Sequence, residues 1–200
     1  MKKILFTSVI MLLCFTFLCG FIYPAFIWAA AKLAFPGQAK GSLVTKEGVI
    51  VGSSLLGQKF TKPLYFHSRP SAVDYNASNS GGSNLAPTNP DLITGVLKNA
   101  DAEMKDNPQQ TEMVPEDLVS ASASGLDPQI TKEAAVWQIK RVAAARKVDE
   151  KMIMAAVDKY TQEPLLGFVG PKMVNVLELN IYIDSIISDS PKSSVAGGKN

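Results

Sequence analysis

The chain has 200 residues, with 20 Lys and Arg set against 18 Asp and Glu and a formal net charge of +2, so one domain with an appendage is the natural prior. Apart from Lys2 and Lys3, the 18 other basic residues balance the 18 acidic ones, without long like-charge runs; this excludes the basic stripe of a nucleic-acid binder. Both cysteines, Cys14 and Cys19, lie close to the N-terminus, which excludes a disulfide framework, a cysteine metal site or a thiol nucleophile from the rest of the chain.

Ile4 to Ala31 carries no charge, with Lys2, Lys3 and Lys32 at its borders. The run exceeds the roughly 20 apolar residues that span a bilayer. It is also well beyond the roughly 7–15 residues of a cleavable signal's apolar region, although Ala29-Ala30-Ala31 would suit a cleavage point. Leu13 and Leu18, rather than small residues, precede the cysteines, so a lipoprotein signal does not fit. Residues 1–31 are predicted as a transmembrane anchor, 32–190 as one globular domain and 191–200 as a flexible tail. Gly20 and Pro24 are tolerated in lipid where neighbouring helices re-satisfy the backbone, and Tyr23 and Trp28 suit the far interface. Lys2 and Lys3 favour a cytoplasmic N-terminus and an extracytoplasmic domain, opposed by Lys32, Lys40 and Lys46.

Two β-branched runs, 42–45 and 49–51, flank Lys46-Glu47-Gly48 and predict a hairpin. Residues 61–88 follow, rich in Pro, Ser, Asn and Gly but also holding Tyr65, Phe66, His67, Arg69 and Tyr75. Disordered segments are poor in aromatics and long irregular loops in compact domains are often functional, so this is read as an ordered, functional loop. Asn89-Pro90-Asp91 opens a helix to about Lys105. Pro115-Glu116-Asp117 opens a short one that Ser124-Gly125 would end, while Thr131 and Asp149 cap two more. Gly167 to Gly170 is a turn or a short strand. Leu177, Leu179, Ile181 and Ile183 alternate as in a strand, but Asn175 with Glu178 forms a capping-box pattern and favours a helix. The fold class is therefore α+β (mixed α/β), a soluble domain attached to one N-terminal transmembrane helix.

Few residues suggest chemistry. Gly52 and Gly57 have the glycine spacing of a P-loop, yet Gln58 stands where Lys is required. Ser80-Gly81-Gly82-Ser83-Asn84 is either an anion-holding nest or a loop capping itself. The same two readings apply to Ser122-Ala123-Ser124-Gly125-Leu126-Asp127, which loosely resembles the signature loop of ABC ATPases. His67 is the sole histidine, with no carboxylate near it in sequence; it reads as packed structure rather than as a metal ligand or a base. Glu178 and Asp184 read as a solvated or capping face. No metal site is expected.

Several blocks taken together resemble a known family. Gly52-Ser-Ser-Leu-Leu-Gly-Gln-Lys-Phe60, Tyr65-Phe-His-Ser-Arg-Pro-Ser-Ala72 and Ser80-Gly-Gly-Ser-Asn84 are similar to the C subunit of the Kdp potassium-transporting P-type ATPase. So are Ser120-Ala-Ser-Ala-Ser-Gly-Leu-Asp-Pro128, Arg141-Val-Ala143 with Arg146, and Val174-Asn-Val-Leu-Glu-Leu-Asn180. The resemblance implies a non-catalytic accessory subunit in a bacterial cell membrane. Its partners would be a channel-like A subunit, an ATPase B subunit and a small F subunit, with membrane lipid around the anchor. It also implies a catalytic chaperone that raises the ATP affinity of the ATPase subunit, with nucleotide binding attributed to the region of Ser122, Ser124, Gly125, Asp127 and Gln129. An external domain is separated from cytoplasmic ATP, so no cofactor is expected to be held firmly and ATP would be met through the complex. Tyr65, Phe66, His67 and Arg69, with Ser80 to Asn84, would form a subunit-interface loop over the channel-like subunit. A membrane-tethered exported enzyme or a binding protein is the alternative class.

Overall fold

A proline inside a helix has no amide hydrogen for the carbonyl four residues back, and its ring crowds that carbonyl. In the computed structural model Pro24 is accommodated by a wider turn. Helix α1 (Lys2–Phe17) runs through a π-helical turn, Leu18–Ile22, into α2 (Tyr23–Ala34), and the Tyr23 amide donates to the Leu18 carbonyl. The continuous helix Lys2–Ala34 has 33 residues and is long and apolar enough to cross a membrane. At 1.5 Å per residue it is about 50 Å long, against a hydrocarbon core of about 30 Å. Near its end the Lys32 ammonium sits 4.2 Å above the Trp28 ring, a pairing suited to the headgroup region.

The structure describes residues 1–164 and 166–188; the tail assigned to 191–200 lies outside them. Two compact units divide between Leu43 and Val44, later than the 31/32 boundary predicted. Lys32 to Ala34 continue the helix, and the single turn α3 (Pro36–Ala39) groups with it.

In the second unit, β1 (Leu43–Lys46) and β2 (Val49–Ser53) form the expected hairpin. Glu47 and Gly48 both have positive φ, +52° and +80°, as the tight turn matching strand twist requires. Helix α4 (Pro90–Asp106) starts where its signals place it, with the Asn89 side chain accepting from the Asp91 amide. Helix α5 is shorter than predicted, Glu116–Val119 rather than ending at Ser124-Gly125. Ser120 turns extended, and the Ser122 amide leaves the helical pattern for the Pro70 carbonyl at 3.0 Å.

Helices α6 (Lys132–Arg146) and α7 (Glu150–Tyr160) are capped by Thr131 and Asp149. Three very short strands, β3 (Gln129–Thr131), β4 (Thr161–Gln162) and β5 (Met173–Asn175), pair in the order β3-β5-β4. The pairs are antiparallel, with Val174 opposite both Ile130 and Thr161. Leu166 to Phe168 form a turn. The last element is a helix, α8 (Val176–Ser188), and the Asn175 side chain accepts from the Glu178 amide at 3.1 Å. It buries Val176, Leu177, Leu179, Asn180 and Ile183, a face broad enough that the alternation in sequence carries no strand meaning.

Phe66 lies at the centre of the core, fully buried with Ile130, Val142, Ile153, Val157 and Val174. Its backbone belongs to no strand, yet buried amides and carbonyls must be paired. Two side-chain amides take the place of a neighbouring strand. Asn180 accepts from the Phe66 amide at 2.8 Å and donates to its carbonyl at 3.0 Å. Gln138 does the same for His67, at 2.8 and 3.2 Å. Stranding a buried backbone group costs about 1–3 kcal/mol. Asn180→Ala strands two, so thermal unfolding of the detergent-solubilised chain should show about 2–4 kcal/mol less stability. Glu178→Ala on the same helix should cost less than about 0.5 kcal/mol.

Candidate functional site

The loop from Lys62 to Asn84 is ordered by ionic and amide side chains that reach it from the helices. Arg141, on α6 and nearly buried, donates to the Pro63 and Tyr65 carbonyls at 2.8 and 2.9 Å, to the Asn107 side chain at 3.0 Å and to Gln138 Oε1 at 2.6 Å. Burial pulls its guanidinium below the ordinary value, and the charges of Glu103 and Asp106 oppose that pull. The His67 ring lies against this group, with Nε2 3.4 Å from Arg141 Nη1 and Nδ1 3.7 Å from Glu103 Oε1. The carboxylate missing near His67 in sequence is thus brought from α4 by the fold. Phe66 is fully buried and His67 is 8% exposed. Both side chains therefore face the core of the isolated chain. Of the residues assigned to the interface loop, Ser80, Ser83 and Asn84 are exposed, as are Ala72, Asp74 and residues 76–79 beside them.

Tyr65 belongs to a second cluster. Asp184 on α8 takes Lys46 Nζ and Arg146 Nη2 at 2.8 Å each, with the Tyr65 hydroxyl at 3.4 Å. Arg146 also donates to the Leu64 carbonyl at 2.6 Å and lies 5.1 Å from the Tyr65 ring centre. Burial alone would raise the Asp184 carboxyl, but the hydrogen bonds and charges of Lys46 and Arg146 outweigh it and hold it below its ordinary 3.8. The reading of Asp184 as a solvated face is therefore wrong: it ties β1, the loop and α6 to α8.

The two loops singled out from sequence, 65–84 and 122–129, come together. The Ser122 amide donates to the Pro70 carbonyl, and the Gly81 amide and Ser80 hydroxyl both donate to the Ser124 carbonyl, at 2.8 and 3.0 Å. The Ser71 hydroxyl donates to the Gly125 carbonyl at 2.7 Å while accepting from the Val73 and Tyr75 amides. The Tyr75 hydroxyl donates to the Arg69 carbonyl at 2.6 Å, and burial pushes its phenol up to about 12. Beneath them Arg69 reaches Asp127 at 3.4 Å and Asp117 at 3.8 Å. Its buried Nε has no hydrogen-bond partner among the described residues.

The contact demands glycine. Gly125 has φ +67°, and a Cβ there would stand 2.6 Å from the Gly81 carbonyl oxygen. A Cβ on Gly82 would meet the Ala123 oxygen at 2.9 Å, and one on Gly57 the Asp127 oxygen at 2.5 Å.

Several backbone amides of these loops are bonded within the domain. The amides of Gly81, Ser122, Gly125, Leu126 and Gln129 all have internal acceptors. Gly57, read in sequence as a turn glycine, donates to the Leu126 carbonyl at 2.7 Å. The Gln129 side chain donates to Gln162 at 3.0 Å. An open groove of about 810 Å³, walled by Val136, Trp137, Lys140 and Met154 among others, lies on different residues. Among the described residues no three of His, Cys, Asp or Glu gather as metal ligands would.

A helix long enough to span a bilayer, followed by an α+β domain whose signature loops brace each other, defines a membrane-anchored protein. Residues 5–185 match the family described as KdpC, the K+-transporting ATPase c chain. A Potassium-transporting ATPase KdpC subunit of Janthinobacterium sp. (strain Marseille) is 49% identical over 187 residues, covering 92% of this chain and 99% of the relative. Proteins of the same name from Polaromonas naphthalenivorans and Herpetosiphon aurantiacus are 46% and 47% identical. They cover 93% and 87% of this chain, and 96% and 92% of their own lengths. The chain belongs to the KdpC family.

Two outcomes follow. Gly125→Ala adds about 1–2 kcal/mol of left-handed strain to the clash with Gly81, so limited proteolysis should cut within residues 71–84 at least about tenfold faster. Because the folded carboxyl of Asp184 is depressed, its contribution is complete above the unfolded value and is lost as pH falls through the lower folded one. Asp184→Asn should therefore lower the melting temperature at neutral pH, with a deficit that shrinks below about pH 4.

Proposed function

We propose that the chain is an accessory subunit of an ATP-driven potassium uptake pump, stabilising the assembly and raising the affinity of the ATPase subunit for ATP. The match along residues 5–185 carries this reading, and the domain's architecture supports it. Several of its loop amides and hydroxyls brace one another, and its one histidine lies against Arg141. An anchor fits a protein that works beside membrane partners, here a channel-like subunit, an ATPase subunit and a small third subunit.

The N-terminus faces the cytoplasm and the domain lies outside, in keeping with Lys2 and Lys3 and with the ease with which long domains translocate. In that orientation the effect on ATP passes through the pump. Ser122, Ser124, Gly125, Asp127 and Gln129 then act as a stiff surface rather than as a phosphate cradle, a reading that the bonded amides favour. Ser80, Ser83 and Asn84, with Ala123 and Ser124 across the junction, are exposed and open to a partner.

Pump purified with and without the chain should differ about tenfold in the ATP concentration giving half-maximal hydrolysis, the size of an ordinary coupling between sites. An unchanged ATP dependence, with potassium transport intact, would refute the chaperone role. Protease added to intact cells should digest the domain; full protection would place it in the cytoplasm and reopen direct contact with nucleotide.

A further inference from the structure

The stretch 164–171 carries no charge in sequence, and it lies between β4 and β5, which pair antiparallel as a hairpin. Its base is closed by Lys172 and Glu163 at 2.8 Å, and the Gly167 amide donates to the Pro164 carbonyl at 2.8 Å. Leu166, Gly167 and Gly170 have φ of +56°, +80° and +97°, a backbone path that fixes which way the tip turns. On that tip Leu166 is 77% exposed, Phe168 78% and Val169 49%. A lone exposed apolar residue needs no explanation. Three on one short loop, held in a left-handed turn, make a convex apolar knob.

The neighbouring charges decide what covers it. Loops that seat on an anionic bilayer set free lysines or arginines beside the apolar tip. Here the cations near the hairpin are engaged. Lys172 pairs with Glu163, and Lys132, whose amide donates to the Lys172 carbonyl, pairs with Asp158 at 2.7 Å. Lys159 lies over the Tyr182 ring at 4.1 Å. A neutral, aromatic-bearing knob fits an apolar recess in a protein, where a buried aromatic is the usual anchor.

We propose that the Leu166–Val169 tip is a docking anchor that seats in an apolar recess of another subunit of the potassium pump. The inference rests on the reading that the chain works within such a complex. The knob does not hold its own domain together, so removing its side chains weakens the complex and leaves the fold intact.

The test uses the full chain co-expressed with the other pump subunits in native membranes. A photo-crosslinking benzoylphenylalanine in place of Phe168 should join the chain to a pump subunit. Phe168→Ser and Leu166→Ser should each release the chain from the purified complex about tenfold faster during washing, as truncation of an interface anchor does. Both should keep the wild-type melting temperature. Met113→Ser, at an equally exposed apolar residue elsewhere (92% exposed), should release at the wild-type rate. Crosslinks confined to phospholipid would overturn the proposal in favour of a bilayer contact. Absence of crosslinks together with wild-type release of both serine variants would overturn it as well. If the wild-type chain itself fails to co-purify with pump subunits, the complex reading falls and the anchor with it, which separates the two failures.

Discussion

The path of the chain through Phe66 and His67 depends on two buried amide side chains. An extended segment that crosses a core without a strand beside it leaves its amides and carbonyls unpaired, which a folded protein does not tolerate. Asn180 from α8 and Gln138 from α6 supply one acceptor and one donor each. Gln138 is used to capacity: its oxygen also accepts from Arg141, and its nitrogen also donates to the Ala134 carbonyl. Gln138 thereby fixes Arg141, which in turn fixes the carbonyls of Pro63 and Tyr65. The loop that follows, from Arg69 to Asn84, departs from a point held by both helices.

That departure point determines what the junction can do. Arg69 arrives beside Asp117 and Asp127, and Asp117 also accepts from the Thr131 amide at 2.7 Å. The arginine therefore ties the loop to the first residues of the short sheet and to the capping residue of α6. Everything above it closes through backbone carbonyls and serine hydroxyls, with Gly81, Gly82 and Gly125 allowing the approach. The amides of Gly81, Ser122 and Gly125 are thereby taken up inside the junction.

Legibility in the sequence followed the range of the forces. Local signals were readable: Asn89, Thr131, Asp149 and Asn175 each cap the helix expected of them, and the uncharged run before Lys32 is the long helix. Strands of two or three residues were not, because a period-two pattern needs more positions to declare itself. The end of α5 was misread because the competing partner of Ser122 is the carbonyl of Pro70, some fifty residues earlier. Asp184 was misread for the same reason: its cations come from β1 and α6. The aromatic richness of 61–88 correctly marked an ordered loop, but Phe66 serves the core rather than the surface. Resemblance gave the two serine- and glycine-rich stretches separate roles, and only the fold revealed that they touch.

The π-helical turn at Leu18–Ile22 adds one residue to the helical repeat, and each residue of an α-helix advances about 100° around the axis. Side chains of α2 therefore stand rotated about the axis from where an unbroken α-helix would place them. A single proline thus sets the rotational register of the whole second half of the helix.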